Sequence, residues 1–317
     1  MKWFAALALL ALAGCRNEKG TIELVREPVA VTASRMQDLV IGLSRHAQSR
    51  NPKFLIVPQN APKLLYLQGD PYMQRHPEYD SHIDALGIEG LFYNASFEPD
   101  SLRIAILDTF SKSKKVMVSD FVQDPADAKH ARELIRQHGF LPLVRTRDNY
   151  DYVKIPALAG PSEPAKSIDD ISNFLYLING SHFGDRESFV RAVASAHHQL
   201  AIIDLFFHGE AFTRQEIAAM KKMPGGGERI LLGYVNIGAA ENWRYYWQKD
   251  WKVGHPFFLA RPYHGYKDET WVRYWDPAWK KILYGSPGAY VDRLIDAGFD
   301  GAYLDNVEAY LYLFGSD

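Results

Sequence analysis

Four carboxylates stand where an apolar run stops. Asp204 follows Ala201-Ile202-Ile203, Asp305 closes Gly301-Ala302-Tyr303-Leu304, Asp120 ends Val116-Met117-Val118-Ser119, and Glu241 lies just past Asn236-Ile237-Gly238. Asn306 is next to Asp305, and Glu308 is close behind. An ionisable group ending an apolar run is costly unless it is paired or used. Acids that converge on one mouth repel one another, which raises some pKa values and lets a carboxylic acid keep its proton near neutrality. Glycoside cleavage needs two such groups about one bond: one protonates the leaving oxygen, and the other attacks or activates water. Asp276 differs, because Pro277 follows it and the pair reads as a helix cap and first helical position.

Other chemistries find less support. His197 and His198 are adjacent, point to different faces of a helix, and have no carboxylate at ligand spacing, so no metal is expected. Gly225–Gly227 reads as a tight turn, since no lysine followed by serine or threonine stands where a phosphate loop needs it. No serine occupies a nucleophile elbow, and the single cysteine is Cys15. No cofactor is expected. The formal charge of −2 offers no basic field for nucleic acid. After Trp3, every tryptophan falls between Trp243 and Trp279, at four-residue spacings. Flat rings in a cleft can stack on the apolar faces of sugars. Trp243 and Trp275 are nearest strand ends and are expected in the cleft. Trp247, Trp251 and Trp279 are expected in a packed stripe.

These groups need a scaffold that brings distant strand ends together. Short apolar runs alternate with amphipathic helical stretches, the pattern of a parallel α/β fold, here a (β/α)8 barrel in one domain over residues 34–317. Strands are expected at 54–60, 88–94, 115–122, 140–146, 173–180, 200–207, 229–238, 271–275 and 301–306, without strict alternation because both faces are covered. That is one too many for eight places, and 140–146, with its internal Pro142, is placed outside the ring. Ser34 with Gln37 and Thr213 with Glu216 read as capping boxes, the first opening a helix with Met36, Leu39, Val40, Leu43 and Ala47 on its buried face. A helix opened by Asp276-Pro277 runs to Ala297 and stops at Gly298, and one over 126–138 stops at Gly139. Residues 155–169, with three prolines by residue 167, read as a surface linker.

The N-terminus reads as an address. Lys2 precedes an apolar run over residues 3–13, shorter than the ~20 residues a spanning helix needs. Leu12-Ala13-Gly14-Cys15 resembles the lipobox of bacterial lipoproteins. The resemblance implies a signal peptide over 1–15, lipid on Cys15, a tether over 16–33 and contact with the membrane through that lipid. Arg16, rather than aspartate, points by analogy to the outer membrane. An exported chain without disulfides depends on its core alone. Oligomeric state is not legible.

Three stretches carry a wider resemblance: Tyr234-Val-Asn-Ile-Gly-Ala-Ala-Glu-Asn-Trp-Arg244, Trp271-Val-Arg-Tyr-Trp-Asp-Pro-Ala-Trp279, and Ala297-Gly-Phe-Asp-Gly-Ala-Tyr-Leu-Asp-Asn-Val-Glu-Ala-Tyr310. They resemble glycoside hydrolase family 114, the endo-α-1,4-polygalactosaminidases, and more nearly its branch of extracellular TIM-barrel glycosidases. Phe54-Leu-Ile-Val-Pro-Gln-Asn60, Ile88-Glu-Gly-Leu-Phe-Tyr-Asn94 and Gly139-Phe-Leu-Pro-Leu-Val-Arg-Thr-Arg-Asp148 resemble the same branch. The order is exchanged: 34–154 resembles the family's C-terminal half and 170–317 its N-terminal half, as in a circular permutation. The strand over 54–60 should then pair with that over 301–306. The resemblance implies hydrolysis of an extracellular polysaccharide, with α-1,4-linked galactosaminoglycan as the substrate class. It also implies a catalytic glutamate where this chain has Tyr303, and, in the nearer branch, an acid where it has Ala239. Asp305 and Asp204 are expected as essential carboxylates and Glu241 as proton donor. Tyr303, Asn306, Glu308, Trp243, Arg244, Trp275, Gln59, Asn60, Tyr93 and Asp120 are expected to line the subsites. The rivals are a lipid-anchored carbohydrate-binding protein without turnover and an envelope spacer.

Overall fold

A computed structural model describes residues 27–317 apart from 147–154, 157, 159–161, 314 and 317. The expected signal segment, Cys15 and residues 16–26 of the expected tether lie outside the described residues, as does part of the expected linker. Eight parallel strands carry the fold: β1 Leu55–Pro58, β2 Ala85–Phe97, β3 Lys115–Val122, β4 Leu141–Arg145, β5 Phe174–Leu177, β6 Leu200–Ile203, β7 Ile230–Asn236 and β8 Gly301–Asp305. Five form one sheet in the order β1-β8-β7-β6-β5, and three form another in the order β2-β3-β4. A parallel bridge between Gln59 and Gly87, with the Asn60 amide donating to the Gly87 carbonyl at 2.8 Å, links β1 to β2. β5 and β6 are buried at every position, which is why their sequences do not alternate.

The expected pairing of β1 with β8 is present, Gly301 opposite Leu55 and Leu304 opposite Pro58. First and last strands pair in any closed barrel, permuted or not, so this register does not test chain order. Two strand assignments are exchanged. The stretch with Pro142 is one of the parallel strands, β4, at the edge of the three-stranded sheet, where a missing N–H costs no ladder bond. Trp271 instead belongs to an antiparallel sheet inserted after β7, made of Ala239–Glu241, Leu259–Tyr263 and Tyr266–Val272.

The helix before β1 spans Val29–Arg50, so residues 29–33, expected in the tether, are helical. Met36, Leu39, Val40, Leu43 and Ala47 are fully buried, as their spacing predicts. Ser34 is not its cap. Its hydroxyl donates back to the Ala30 carbonyl at 2.9 Å, and the Gln37 amide reaches the carbonyls of Leu64 and Tyr66. Thr213 and Glu216 do form a capping box. Asp276 caps Pro277–Leu283, but Gly285 and Gly288 at positive φ interrupt the run before Tyr290–Ala297. Gly298 then ends it in the left-handed region.

Candidate active site

The C-terminal ends of the strands open into one groove, with Asp305 at its centre. The side chain ends β8 beside Tyr234 of β7, whose hydroxyl donates to Asp305 Oδ2 at 2.5 Å. The Asn306 amide donates to Oδ1 at 2.6 Å. Asn306 itself sits at φ 56°, so the backbone turns sharply and its side chain accepts from the Tyr263 hydroxyl at 3.2 Å. Burial raises the Asp305 pKa, and those two donors oppose it.

Asp305 faces a cavity of about 210 Å³ shared with Glu89, Glu269 and Glu308. Burial and the neighbouring charge of Asp305, against Arg145, push the Glu89 carboxyl up to about 7. Burial, then the charges of Glu241 and Asp305, push Glu269 up to about 8. Burial, then Asp305 and Glu89, push Glu308 up to about 8. Acids so placed hold protons near neutrality. Only Glu308 of these three figured among the expected residues. Glu89 lies inside an apolar run, Ala85-Leu-Gly-Ile-Glu-Gly-Leu-Phe, whereas Asp204 is singled out for ending one; the cost of a lone acid among apolar residues is the available signal. Glu269 lies in Lys267-Asp-Glu-Thr270, which looks like a solvated charge run until the hairpin turns it inward.

Asp204 and Glu241 do not face Asp305 directly. They line an adjoining cavity of about 420 Å³, which shares Tyr234, Tyr266 and Glu269 with the central one. One guanidinium lies between them. Arg244 donates from Nε to Glu241 Oε2 at 2.6 Å, from Nη2 to Oε1 at 3.1 Å, and from Nη1 to Asp204 Oδ1 at 2.8 Å. The Arg244 side chain is 3% exposed and that of Glu241 4%. Burial raises the Glu241 pKa against the pull of Arg244, but both carboxyl oxygens are taken up by the guanidinium. The geometry is that of a clamp tying the end of β6 to the inserted sheet, which argues against Glu241 as proton donor.

On the other side a third cavity, about 390 Å³, shares Asn60, Glu89 and Glu308 with the centre and extends to Lys63 and Tyr312. The groove therefore runs from Trp243, 51% exposed, past the acids to Tyr312, 62% exposed. An exposed ring at each end is what a chain of sugars would stack on.

Four expected subsite residues lie elsewhere. Tyr303 points into the core, its ring 5.2 Å from that of Tyr176 and its hydroxyl occupying the space a Cβ at Gly87 would need. Trp275 packs under the Arg35 guanidinium, 4.4 Å from the ring, because it follows the hairpin rather than ending a parallel strand. Tyr93 is buried, its hydroxyl 2.7 Å from His130 Nδ1. Asp120 is fully buried and accepts the amides of Leu91, Phe92 and Tyr93. Gln59 and Asn60 do line the central cavity. Trp279 is buried and donates to the Ile237 carbonyl at 2.9 Å, and Trp247 packs on Trp251, as a structural stripe should.

Fold and groove together define an α/β protein of parallel strands with a carboxylate-lined cleft at their C-terminal ends, the place where such folds put reactive groups. Residues 189–317 match the family model of Glycoside-hydrolase family GH114, a stretch that includes Asp204, Glu241, Glu269, Asp305 and Glu308. Curated relatives include an uncharacterized protein of Deinococcus radiodurans, 38% identical over 122 residues, 38% of this chain and 37% of that one. An uncharacterized protein of Methanocaldococcus jannaschii is 30% identical over 168 residues, 49% of this chain and 46% of its own. One of Thermotoga maritima is 32% identical over 120 residues, 38% and 36% of the two chains. The chain thus spans less than half the length of the curated relatives it matches.

Proposed function

We propose that the protein is a glycosidase that cleaves a polysaccharide lying along the groove, with Glu89 as proton donor and Asp305 as nucleophile or base. One observation carries this reading: the two carboxyls share the central cavity, and the one held near 7 is suited to give a proton near neutral pH. Asp305 supplies the charged partner, steadied by Tyr234 and the Asn306 amide. Asp204 and Glu241 act through Arg244 to hold the arm that carries Trp243. Reducing ends released from a de-N-acetylated α-1,4-galactosamine polymer test the pair. Asp305→Asn and Glu89→Gln each slow release by at least about a hundredfold while the folded state persists; release at the parent rate from either variant removes that residue from the mechanism.

The substrate class follows from the lining. The central cavity carries four acids and, among the described residues, no lysine or arginine. A protonated sugar amine entering beside these acids would draw them toward their charged form, so the lining suits a sugar with a free amino group, in keeping with a galactosaminoglycan. Two buried positions favour a second reading, binding without turnover: Tyr303 and Ala239 stand where the family resemblance implies acids. Calorimetry separates the two, since the binding protein holds oligosaccharide and forms no product.

We further infer that the two sheets close into a (β/α)8 barrel through contact of β4 with β5, and that the chain order is permuted. A family match confined to 189–317 supports the exchanged order. Leu12-Ala13-Gly14-Cys15 supports export and lipid on Cys15, with outer-membrane attachment suggested by Arg16. Labelled palmitate incorporated by the parent and lost in Cys15→Ala tests the anchor. No helix among the described residues is long and apolar enough to cross a membrane.

A further inference from the structure

The backbone that presents Glu89 is an irregular piece of β2. Glu89 pairs with Ser119, yet the next pair on β3 is Asn94 with Phe121, so residues 90–93 loop out opposite Asp120 alone. Gly90 sits at φ 56°, where glycine has no steric cost. Such an excursion loses its ladder partners, and its buried N–H and C=O groups must find others.

The partners come from three side chains and one turn. The Asp120 carboxylate accepts the amides of Leu91 at 2.7 Å and of Phe92 and Tyr93 at 3.1 Å. Arg103 donates from Nη1 to the Glu89 carbonyl at 3.1 Å and from Nη2 to the Gly90 carbonyl at 2.6 Å. Arg103 is itself held by Asp100, which accepts from its backbone N at 2.9 Å and from Nε at 3.0 Å. Asn60 Oδ1 accepts the Glu89 amide at 2.7 Å, and the amides of Asp100 and Glu98 return to the carbonyls of Leu91 and Phe92. Asp120 thus stands in for a missing strand, and Arg103 clips the two carbonyls that flank the turn.

We propose that Asp120 and Arg103 are positioning residues for Glu89, folding residues 90–93 so that the Glu89 carboxyl is held in the central cavity opposite Asp305. The inference rests on the reading of Glu89 as proton donor only for its catalytic consequence; the geometric claim stands by itself. It also explains why Asp120 is fully buried and lines no part of the groove. Charged groups facing Glu89 are Arg145 of β4, 3.7 Å away, with Asp305 of β8 and Glu308 beyond it. Arg103 touches the Glu89 carbonyl, and Asp120 the amides after it.

The test is a carboxyl 13C NMR titration of the full chain labelled in glutamate, for the parent, Arg103→Gln, Arg103→Lys and Asp120→Asn, with Glu89→Gln assigning the resonance. Loss of the clip lets residues 90–93 relax toward water, and the Glu89 midpoint falls by about one pH unit. Mere removal of a positive charge acts in the opposite sense, so the sign separates positioning from electrostatics. Arg103→Lys, which keeps the charge and can reach one carbonyl, lies between. On the galactosamine polymer, Arg103→Gln lowers kcat by roughly tenfold to a hundredfold with KM little changed, as a misplaced group does. A midpoint that stays or rises in Arg103→Gln overturns the proposal, and Arg103→Gln decides the matter if Asp120→Asn does not fold. Full turnover by Glu89→Gln overturns the proton-donor reading instead, and a fallen midpoint in Arg103→Gln still upholds positioning.

Discussion

Replacing Arg244 by methionine removes the guanidinium that lies between Asp204 and Glu241 and leaves the volume nearly filled. Three hydrogen bonds disappear, at 2.6 and 3.1 Å to Glu241 and 2.8 Å to Asp204. The two carboxylates differ in what remains to them. Asp204 keeps the Phe206 amide at 2.8 Å and a side chain 16% exposed, so water can reach it. Glu241, 4% exposed, loses both acceptor contacts and cannot rehydrate. Breaking a buried pair by removing one partner costs about 3–5 kcal/mol. For a domain of this size that lowers Tm by roughly 6–20 °C. Urea unfolding of the parent, Arg244→Met, Glu241→Gln and the double variant measures it. Restoring neutrality in Glu241→Gln/Arg244→Met recovers at least half of the loss, because the stranded charge is gone. Acid acts likewise: without Arg244 the Glu241 pKa is raised further by burial, so the deficit is small below the ordinary carboxylate range and grows as pH rises. A loss under about 1 kcal/mol, or a double variant no better than Arg244→Met, refutes the clamp.

Other expectations follow from the same groove. Glu89, Glu269 and Glu308 have pKa values raised to about 7, 8 and 8, so their stabilising contribution is complete below the ordinary carboxylate value and lost as pH rises through 7 to 8. Urea midpoints should fall across that window, and Glu269→Gln with Glu308→Gln should flatten the fall; an unchanged slope contradicts it. Trp243→Ala removes an exposed ring at one end of the groove and should raise KM several-fold, for a loss of about 1 kcal/mol, with kcat kept. Thr213→Ala breaks a formed capping box and should cost about 1 kcal/mol by thermal unfolding, without touching turnover.

Parallel strands were legible because burial on both faces leaves an uninterrupted apolar run, and Thr213-x-x-Glu216 announced its helix because capping is a local matter. Pro142 misled because its tolerance depends on whether the strand is an edge, which sheet order decides and sequence does not carry. The site was legible in kind. Asp305, Asp204 and Glu241 all lie at the C-terminal ends of the strands, but Asp305 lines the central cavity while Asp204 and Glu241 line the adjoining one. Their division of labour was not, because it turns on a single side chain: Arg244 reads as a subsite cation until it is seen between two carboxylates. Glu89 and Asp120 show the same limit. Each is one acid in an apolar run, and only the four-residue excursion of β2 sends one into the groove and the other into the backbone.

The pairing of Glu89 with Asp305 is tested most directly by kcat against pH on the galactosamine polymer. The parent rate should fall above about pH 7 as Glu89 loses its proton, and Glu89→Gln should be slower by about 10²–10⁴ with that alkaline limb gone. A limb that survives in Glu89→Gln at an undiminished rate contradicts the account.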